Sequence, residues 1–231
     1  MKRLQTNLEK KSKQLKLSAS AAKAFSSDEE VNSSLATPKK FTSFLSLESS
    51  MKDEKIQVFK NEKFVCIKDK YPKAKIHFLL IPHGDTFPKL LKVADIIKLP
   101  KSVEILKEMK DISDKIINDK FPDDLKKKAL CGFHSIQSMQ PLHMHIISSD
   151  FQSDCLKNKK HWNSFNTDYF IKLGDLIQNL EEENDYFKSD KFNLNKQDLL
   201  KKYMDLPLKC NVCHVEQKNL PTLKRHILTH K

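Results

Sequence analysis

The run Pro141-Leu142-His143-Met144-His145-Ile146-Ile147 does most to limit what this chain can become. Apolar residues alternate with histidines at a period of two, and a strand points successive side chains to opposite faces. Leu142, Met144 and Ile146 are therefore expected on a core-facing side. His143 and His145 share the other side, roughly 6.7 Å apart along the strand. Imidazole titrates near neutrality, so two on one stiff face form an acid, base or nucleophile pair. They are also compatible with a solvated face, or with half a metal site whose nearest carboxylate is Asp150. His134 lies in Leu130–Ile136, a second expected strand, and a hairpin through Ser138-Met139-Gln140-Pro141 brings all three histidines to one edge of a sheet.

The chain has 231 residues, room for one mixed domain and a small appendage. No apolar run approaches the roughly 18 to 20 residues that span a bilayer, and Met1 to Lys16 is charged where a secretory leader is apolar. No membrane partner is expected. Lys and Arg number 42 against 30 Asp and Glu, a net charge of +12. Such an excess favours polyanions, nucleic acid first, or is a Lys-rich solvated surface. Cys66, Cys131 and Cys155 are scattered, which speaks for a reducing compartment rather than a disulfide framework. The three glycines form neither G-x-G-x-x-G nor a P-loop, so any phosphate chemistry must use side chains.

Residues 1–41 read as a basic, disordered arm, with Lys10-Lys11-Ser12-Lys13 and Pro38-Lys39-Lys40 suited to nuclear import or DNA tethering, or as a solvated tail. A domain is expected over 42–182. Its strands are Val58-Phe59, 63–68 and 75–82, the last apolar enough to be central. A loop over 69–73 joins the second to the third. A helix runs from Pro100 to about Asn118 with Val103, Leu106, Met109, Ile112 and Ile116 as its apolar stripe. The two histidine strands, a basic loop over 151–167 and a helix over 169–180 follow. Residues 183–207 read as a charged linker helix and 208–231 as a small module.

That module carries Cys210-x2-Cys213-x12-His226-x3-His230. A hairpin brings the thiolates together, and His226 and His230 fall at i, i+4 on one helix face. All four converge tetrahedrally, the ligand spacing of a two-Cys, two-His zinc finger. Leu223 supplies an aliphatic for the small core. The usual aromatic position holds Gln217, which leaves Val215 or Leu220 to fill that space. Zn2+ would supply on the order of 10 kcal/mol that burial in so short a segment cannot. With four protein ligands no position is open, so the zinc is structural. Lys224 and Arg225, with Lys218, make the helix basic, which suits phosphate contacts or a solvated face.

Gly132-Phe133-His134-Ser135 with Ser138-Met139, then Leu142 through Phe151, resembles the histidine-triad (HIT) nucleotide hydrolases. Cys155 through Thr167 and Ile67 through Phe78 are similar to the aprataxin branch of that family, and the resemblance extends over roughly residues 42 to 231. It implies an α+β fold, a HIT-like domain with a mainly antiparallel sheet and flanking helices, plus the C-terminal zinc finger. It also implies a nuclear DNA-repair hydrolase that removes AMP from 5′-adenylated DNA ends left by abortive ligation. The route is a covalent histidine–AMP intermediate, AMP is a product, and nicked DNA and other repair proteins are partners.

By the same resemblance His143 attacks phosphorus, His145 hydrogen-bonds phosphate oxygens, and His134 and Ser138 support the phosphate. Asp69 matches the acid that accepts the ribose hydroxyls, its other reading being a loop cap; Met139 and Ile67 are candidates to border adenine or are core packing, and Lys73 and His77 lie close by in support. Lys157, Lys159, Lys160 and His161 form a cationic loop directly after the histidine strand, well placed to grip the DNA 5′-phosphate, and Trp162 packs that loop onto the domain or stacks on a base. The first histidine of the family's His-x-His-x-His pattern is Pro141 here. Proline cannot orient the nucleophile through a ring nitrogen, so that task falls to a backbone carbonyl or activity is reduced. The N-terminal phosphopeptide-binding domain of many family members does not fit the short arm. Two other readings stay open: a HIT hydrolase of small dinucleotides or phosphoramidates, and a non-catalytic DNA-end-binding protein.

Overall fold

The computed structural model describes residues 46–84, 87, 92–183 and 185–230, so the expected arm over 1–41 lies outside the described residues. Six strands among these residues form one antiparallel sheet: β1 Gln57–Lys60, β2 Phe64–Lys68, β3 His77–Pro82, β4 Ala129–His134, β5 Met144–Ser148 and β6 Phe170–Lys172. Their spatial order is β1-β2-β3-β5-β4-β6. β3, expected to be central, lies between β2 and β5 with every residue buried.

Strand alternation gives the sheet two distinct faces. On one, Phe64, Cys66, Phe78, Leu80, Phe133, Met144 and Ile146 meet the buried side chains of two helices, α1 Ser102–Lys120 and α3 Leu173–Glu181. α1 forms because apolar residues recur at three and four over a stretch free of Gly and Pro. It ends at Phe121, before Pro122, whose ring disfavours helix in the residue ahead. The other face carries Val65, Ile67, Leu79 and Ile81 packed on Leu47. His77 and His145 alternate with the core-facing residues of their strands and extend this second face.

Three expectations need correction. The stretch 151–167 is not all loop: it contains α2, Lys159–Asn166, opened by Asn158, whose side chain accepts the His161 backbone N–H at 2.9 Å. Trp162 and Phe165, one turn apart, are the buried stripe that makes this helix worth forming. The helix expected over 169–180 begins only at Leu173, because residues 170–172 pair with β4 as an edge strand. Gly132 permits that pairing, since a Cβ there would lie 2.4 Å from the Ile171 carbonyl oxygen. The linker is not one helix either. It is two short turns, Asp185–Lys188 and Asp190–Asn193, and then one helical stretch made of Lys196–Leu199 and Leu200–Met204. Asn163 ties its end down, donating from Nδ2 to the carbonyls of Tyr203, Met204 and Leu206 at 2.9 to 3.2 Å.

The C-terminal segment pairs β7 Leu208–Lys209 with β8 Glu216–Gln217 and ends in α4 Leu220–Ile227. Asn219 caps α4 by accepting the Thr222 N–H, and Pro221 occupies the first turn, where no N–H is needed. Leu220 fills the small core; Val215 is 53% exposed. This core is continuous with the larger domain. Leu208, Cys210, Leu220, Leu223 and Ile227 share one buried cluster with Phe151, Trp162 and Phe165. Trp162 is fully buried and donates from Nε1 to the Lys209 carbonyl at 3.0 Å, as expected of a packing residue. No helix among the described residues is long and apolar enough to cross a membrane.

Candidate active site

The register places the histidines. Gly132 faces His145 across the β4–β5 ladder, and Leu79 faces His145 across β3–β5. The rings then gather: His134 and His145 centroids are 4.3 Å apart, and His143 and His145, and likewise His77 and His145, are 5.1 Å apart. His143 and His145 are 1% and 4% exposed, so neither is a solvated surface residue. Phe165 of α2 packs edge-on against His77 and His145 and tilted against His134. Its role was hidden by reading 151–167 as loop; the Trp162/Phe165 spacing is the signal that marks it.

Hydrogen bonding fixes the tautomers. The His143 Nδ1 lies 3.0 Å from the Pro141 carbonyl oxygen. A carbonyl only accepts, so Nδ1 carries the proton and Nε2 of the neutral ring keeps its lone pair. The proline thus contributes by its main chain what its side chain cannot. Burial pushes the His143 pKa down, opposed by the Pro141 carbonyl and the Asp69 charge, which keeps the ring neutral near pH 7.

A second chain of donors runs behind it. The Lys73 backbone N–H donates to His77 Nδ1 at 3.2 Å, so His77 carries its proton on Nε2. That N–H points to His145 Nδ1 at 2.9 Å, which leaves His145 with its proton on Nε2. Asp69 Oδ2 also approaches His77 Nδ1 at 3.3 Å, an ion pair only if His77 is charged. Burial lowers His77 to about 4, more than Asp69 raises it, so the ring is neutral; the Lys73 N–H can only donate, which makes Nδ1 the acceptor. His145 and His134 are both held well below the usual imidazole range, first by burial and then by neighbouring imidazoles and Lys73. Their Nε2 atoms are buried and have no protein partner among the described residues. A buried atom of this kind calls for a partner, whether water, ion or ligand group.

Around this cluster the remaining expected residues divide. Asp69, Ile67 and Met139 line one cavity of about 650 Å³ with Leu47, Ile56 and Tyr71. Asp69 Oδ1 accepts the Tyr71 N–H at 2.7 Å and retains lone pairs for hydroxyls. Lys73 bonds the Tyr71 carbonyl through Nζ, and burial lowers its pKa against the pull of Asp69. Ser138 is exposed on the 135–143 connection. His161 is half-buried; its Nδ1 accepts the Lys157 N–H at 3.1 Å, which leaves Nε2–H free to donate outward. Burial, then the nearby Lys73 charge, lowers its pKa. Lys157, Lys160 and Arg225 are exposed. Lys159 and Lys224 are partly engaged, donating to the carbonyls of Asp205 and Ser153 at 2.8 and 2.7 Å.

In the C-terminal module the ligand atoms of Cys210, Cys213, His226 and His230 all lie within 4.8 Å of one another. His226 Nε2 is 3.1 Å from both Cys213 Sγ and His230 Nε2. Two cysteine sulfurs and two imidazole nitrogens gathered this closely suit a tetrahedral cation.

Residues 44–161 match the family described as "Scavenger mRNA decapping enzyme C-term binding", and 166–231 match the "C2HE / C2H2 / C2HC zinc-binding finger". An aprataxin-like protein of Saccharomyces cerevisiae is 31% identical over 68% of this chain and 89% of its own length. The chain belongs to the aprataxin family. Aprataxin of Danio rerio is 43% identical over 80% of this chain and 52% of its own, so this chain spans about half of that relative. A solved structure, the aprataxin ortholog Hnt3 in complex with DNA, superposes with a TM-score of 0.56 at 24% identity over 80% of this chain and 90% of that one. The two chains share the fold. The aprataxin resemblance did not single out Gln137, whose carboxamide meets the His143 main chain twice. A lone amide in the turn ahead of an apolar strand is the only sign of it in sequence.

Proposed function

We propose that this chain is a DNA-repair hydrolase that removes AMP from 5′-adenylated DNA ends. One observation carries the reading: a neutral His143 whose Nδ1–H is tied to the Pro141 carbonyl, beside two buried imidazole Nε2 atoms that have no protein partner among the described residues. Such a cluster suits an anionic phosphoryl group attacked from Nε2. The 650 Å³ cavity at Asp69, Ile67 and Met139 falls within the range of roughly 300 to 1,000 Å³ common for small-ligand sites and suits the adenosine.

In the first step His143 Nε2 forms a bond to the AMP phosphorus, the bond to the bridging oxygen breaks, and DNA leaves with a 5′-phosphate. The His145 Nε2–H donates to a non-bridging oxygen as charge builds, with His134 and Ser138 in support. Water then cleaves the N–P bond, AMP departs and the imidazole is restored. Lys73 and His77 hold His145 in its donating tautomer. Lys157, Lys160, His161 and Arg225, with the unspent donors of Lys159, engage DNA phosphates, while Lys224 ties α4 to the Ser153 carbonyl. Cys210, Cys213, His226 and His230 hold a structural Zn2+. The nucleus is the compartment that fits this substrate.

The test is AMP release from 5′-adenylated nicked DNA. His143→Ala is expected to lower the rate at least about 10³-fold while DNA affinity holds within about twofold. Full release by that variant overturns the reading. Faster turnover of a free dinucleotide than of adenylated DNA would instead favour the small-substrate hydrolase.

A further inference from the structure

β5 begins at Met144, and both of its ladders stop short of residue 143. The pairing with β3 ends at Leu80–Met144 and that with β4 at Gly132–His145. Among the described residues the peptide of His143 therefore has no strand neighbour, although the residue is 1% exposed. Buried backbone groups need partners. Gln137 provides them. Its Nε2 donates to the His143 carbonyl at 2.7 Å and its Oε1 accepts the His143 N–H at 2.9 Å. One side chain reproduces the donor–acceptor pair that a neighbouring strand residue would offer. Gln137 is itself buried, and both of these bonds are spent on one residue.

The same connection supplies the third restraint, the Pro141 carbonyl on His143 Nδ1. Residue 143 is thus held at its N–H, its carbonyl and its ring by three groups within six residues of chain. With Pro141 where the family pattern has a histidine, no histidine in the first position can steer the ring. A ring steered by a main-chain carbonyl is only as well aimed as that main chain is fixed.

We propose that Gln137 is a positioning residue for His143: by clamping the residue 143 peptide it allows the Pro141 carbonyl to aim Nε2 at phosphorus. This rests on His143 being the nucleophile. Gln137 touches no substrate. Its effect acts on geometry, where an error near 1 Å can cost about 10²-fold in rate.

Two variants test it. Gln137→Met keeps the volume and removes both bonds. Gln137→Glu keeps the acceptor and, when ionised, sets an oxygen against the His143 carbonyl; protonated, it again offers one donor and one acceptor. The readouts are melting temperature, AMP affinity by calorimetry, single-turnover AMP release from 5′-adenylated nicked DNA, and the 15N shifts of the His143 ring. For Gln137→Met the expectation is a folded protein that binds AMP within about threefold of wild type. Its first-step rate should fall about 10²-fold, and its ring 15N shifts should move toward a tautomer mixture. For Gln137→Glu the deficit relative to wild type should shrink as pH falls from 8 to 6. An unchanged rate together with unchanged ring shifts overturns the proposal. So does a rate that falls only in step with AMP affinity or folded fraction. If wild type itself releases no AMP, the hydrolase reading fails by that control. The ring shifts then still decide whether Gln137 holds the imidazole.

Discussion

The histidine face and the C-terminal finger solve the same problem, holding donor atoms at fixed points, by opposite means. On the sheet the donors are aimed by register and by hydrogen bonds. His145 stands opposite Gly132 and Leu79, and its tautomer follows from a relay that starts at a backbone N–H. The supporting core of that sheet runs through two helices and needs no ion. In the finger two short strands and one helix bring four ligand atoms close together. Each of these atoms has a lone pair that a metal ion could share. The contrast separates a site held by its own hydrogen bonds from a module whose four gathered ligands suit a metal ion.

Stripping the metal should therefore break one region and spare the other. Chelation is expected to remove on the order of 10 kcal/mol from the fold of residues 208–230. Trp162, the chain's single tryptophan, reports it, because its indole is buried against the Lys209 carbonyl. Its emission should shift to the red while the far-ultraviolet signal of the sheet stays. A sheet that melts together with the finger would mean that the shared cluster around Phe151 and Trp162 makes the two one cooperative unit.

Acid should act the other way round, first on the histidine face. His77 is held near 4 by burial, so between about pH 6.5 and 4 the unfolded chain binds a proton that the folded chain refuses. Stability is full above pH 6.5 and falls as pH drops through that window, by about 3 kcal/mol from His77 alone. His134, His143 and His145, lowered in the same direction, add to the loss. Urea midpoints at pH 7.5, 6 and 4.5 measure it. A midpoint that stays constant would mean that these rings are already charged or are not buried.

How much of this was legible in the residues follows the same division. The alternation through Leu142–Ile147 disclosed a strand, its core face and the two histidines beside it, because a period of two survives any tertiary context. The quartet spacing disclosed the finger because it is set by ligand geometry rather than by packing. What stayed hidden depends on contacts between distant segments. Phe170–Lys172 reads as the start of a helix until a strand with a glycine at the right place lies beside it. Gln137 reads as a turn residue until the ends of two ladders leave His143 unpaired. The cationic stretch 157–161 looked like a loop because charge masks the Trp162/Phe165 stripe that folds it.

The smallest effect sharpens the comparison most, because it asks what fastens the finger to the sheet. Lys224 was expected to meet DNA, yet its ammonium donates to the Ser153 carbonyl. One charge-assisted bond at a half-buried site is worth about 1 kcal/mol when water can replace it. Lys224→Met keeps the aliphatic stem and removes that bond. If the lysine acts chiefly as a tie, DNA affinity falls slightly and its dependence on salt is unchanged, since no counterion release is lost. If it contacts a phosphate, the slope of log K against log salt becomes shallower by about 0.9. The placement of Nζ favours the first outcome. The finger is then held mainly by Leu208, Leu220, Leu223 and Ile227 against Phe151, Trp162 and Phe165, and the exposed Arg225 rather than Lys224 is the cation on α4 whose loss should change the salt slope.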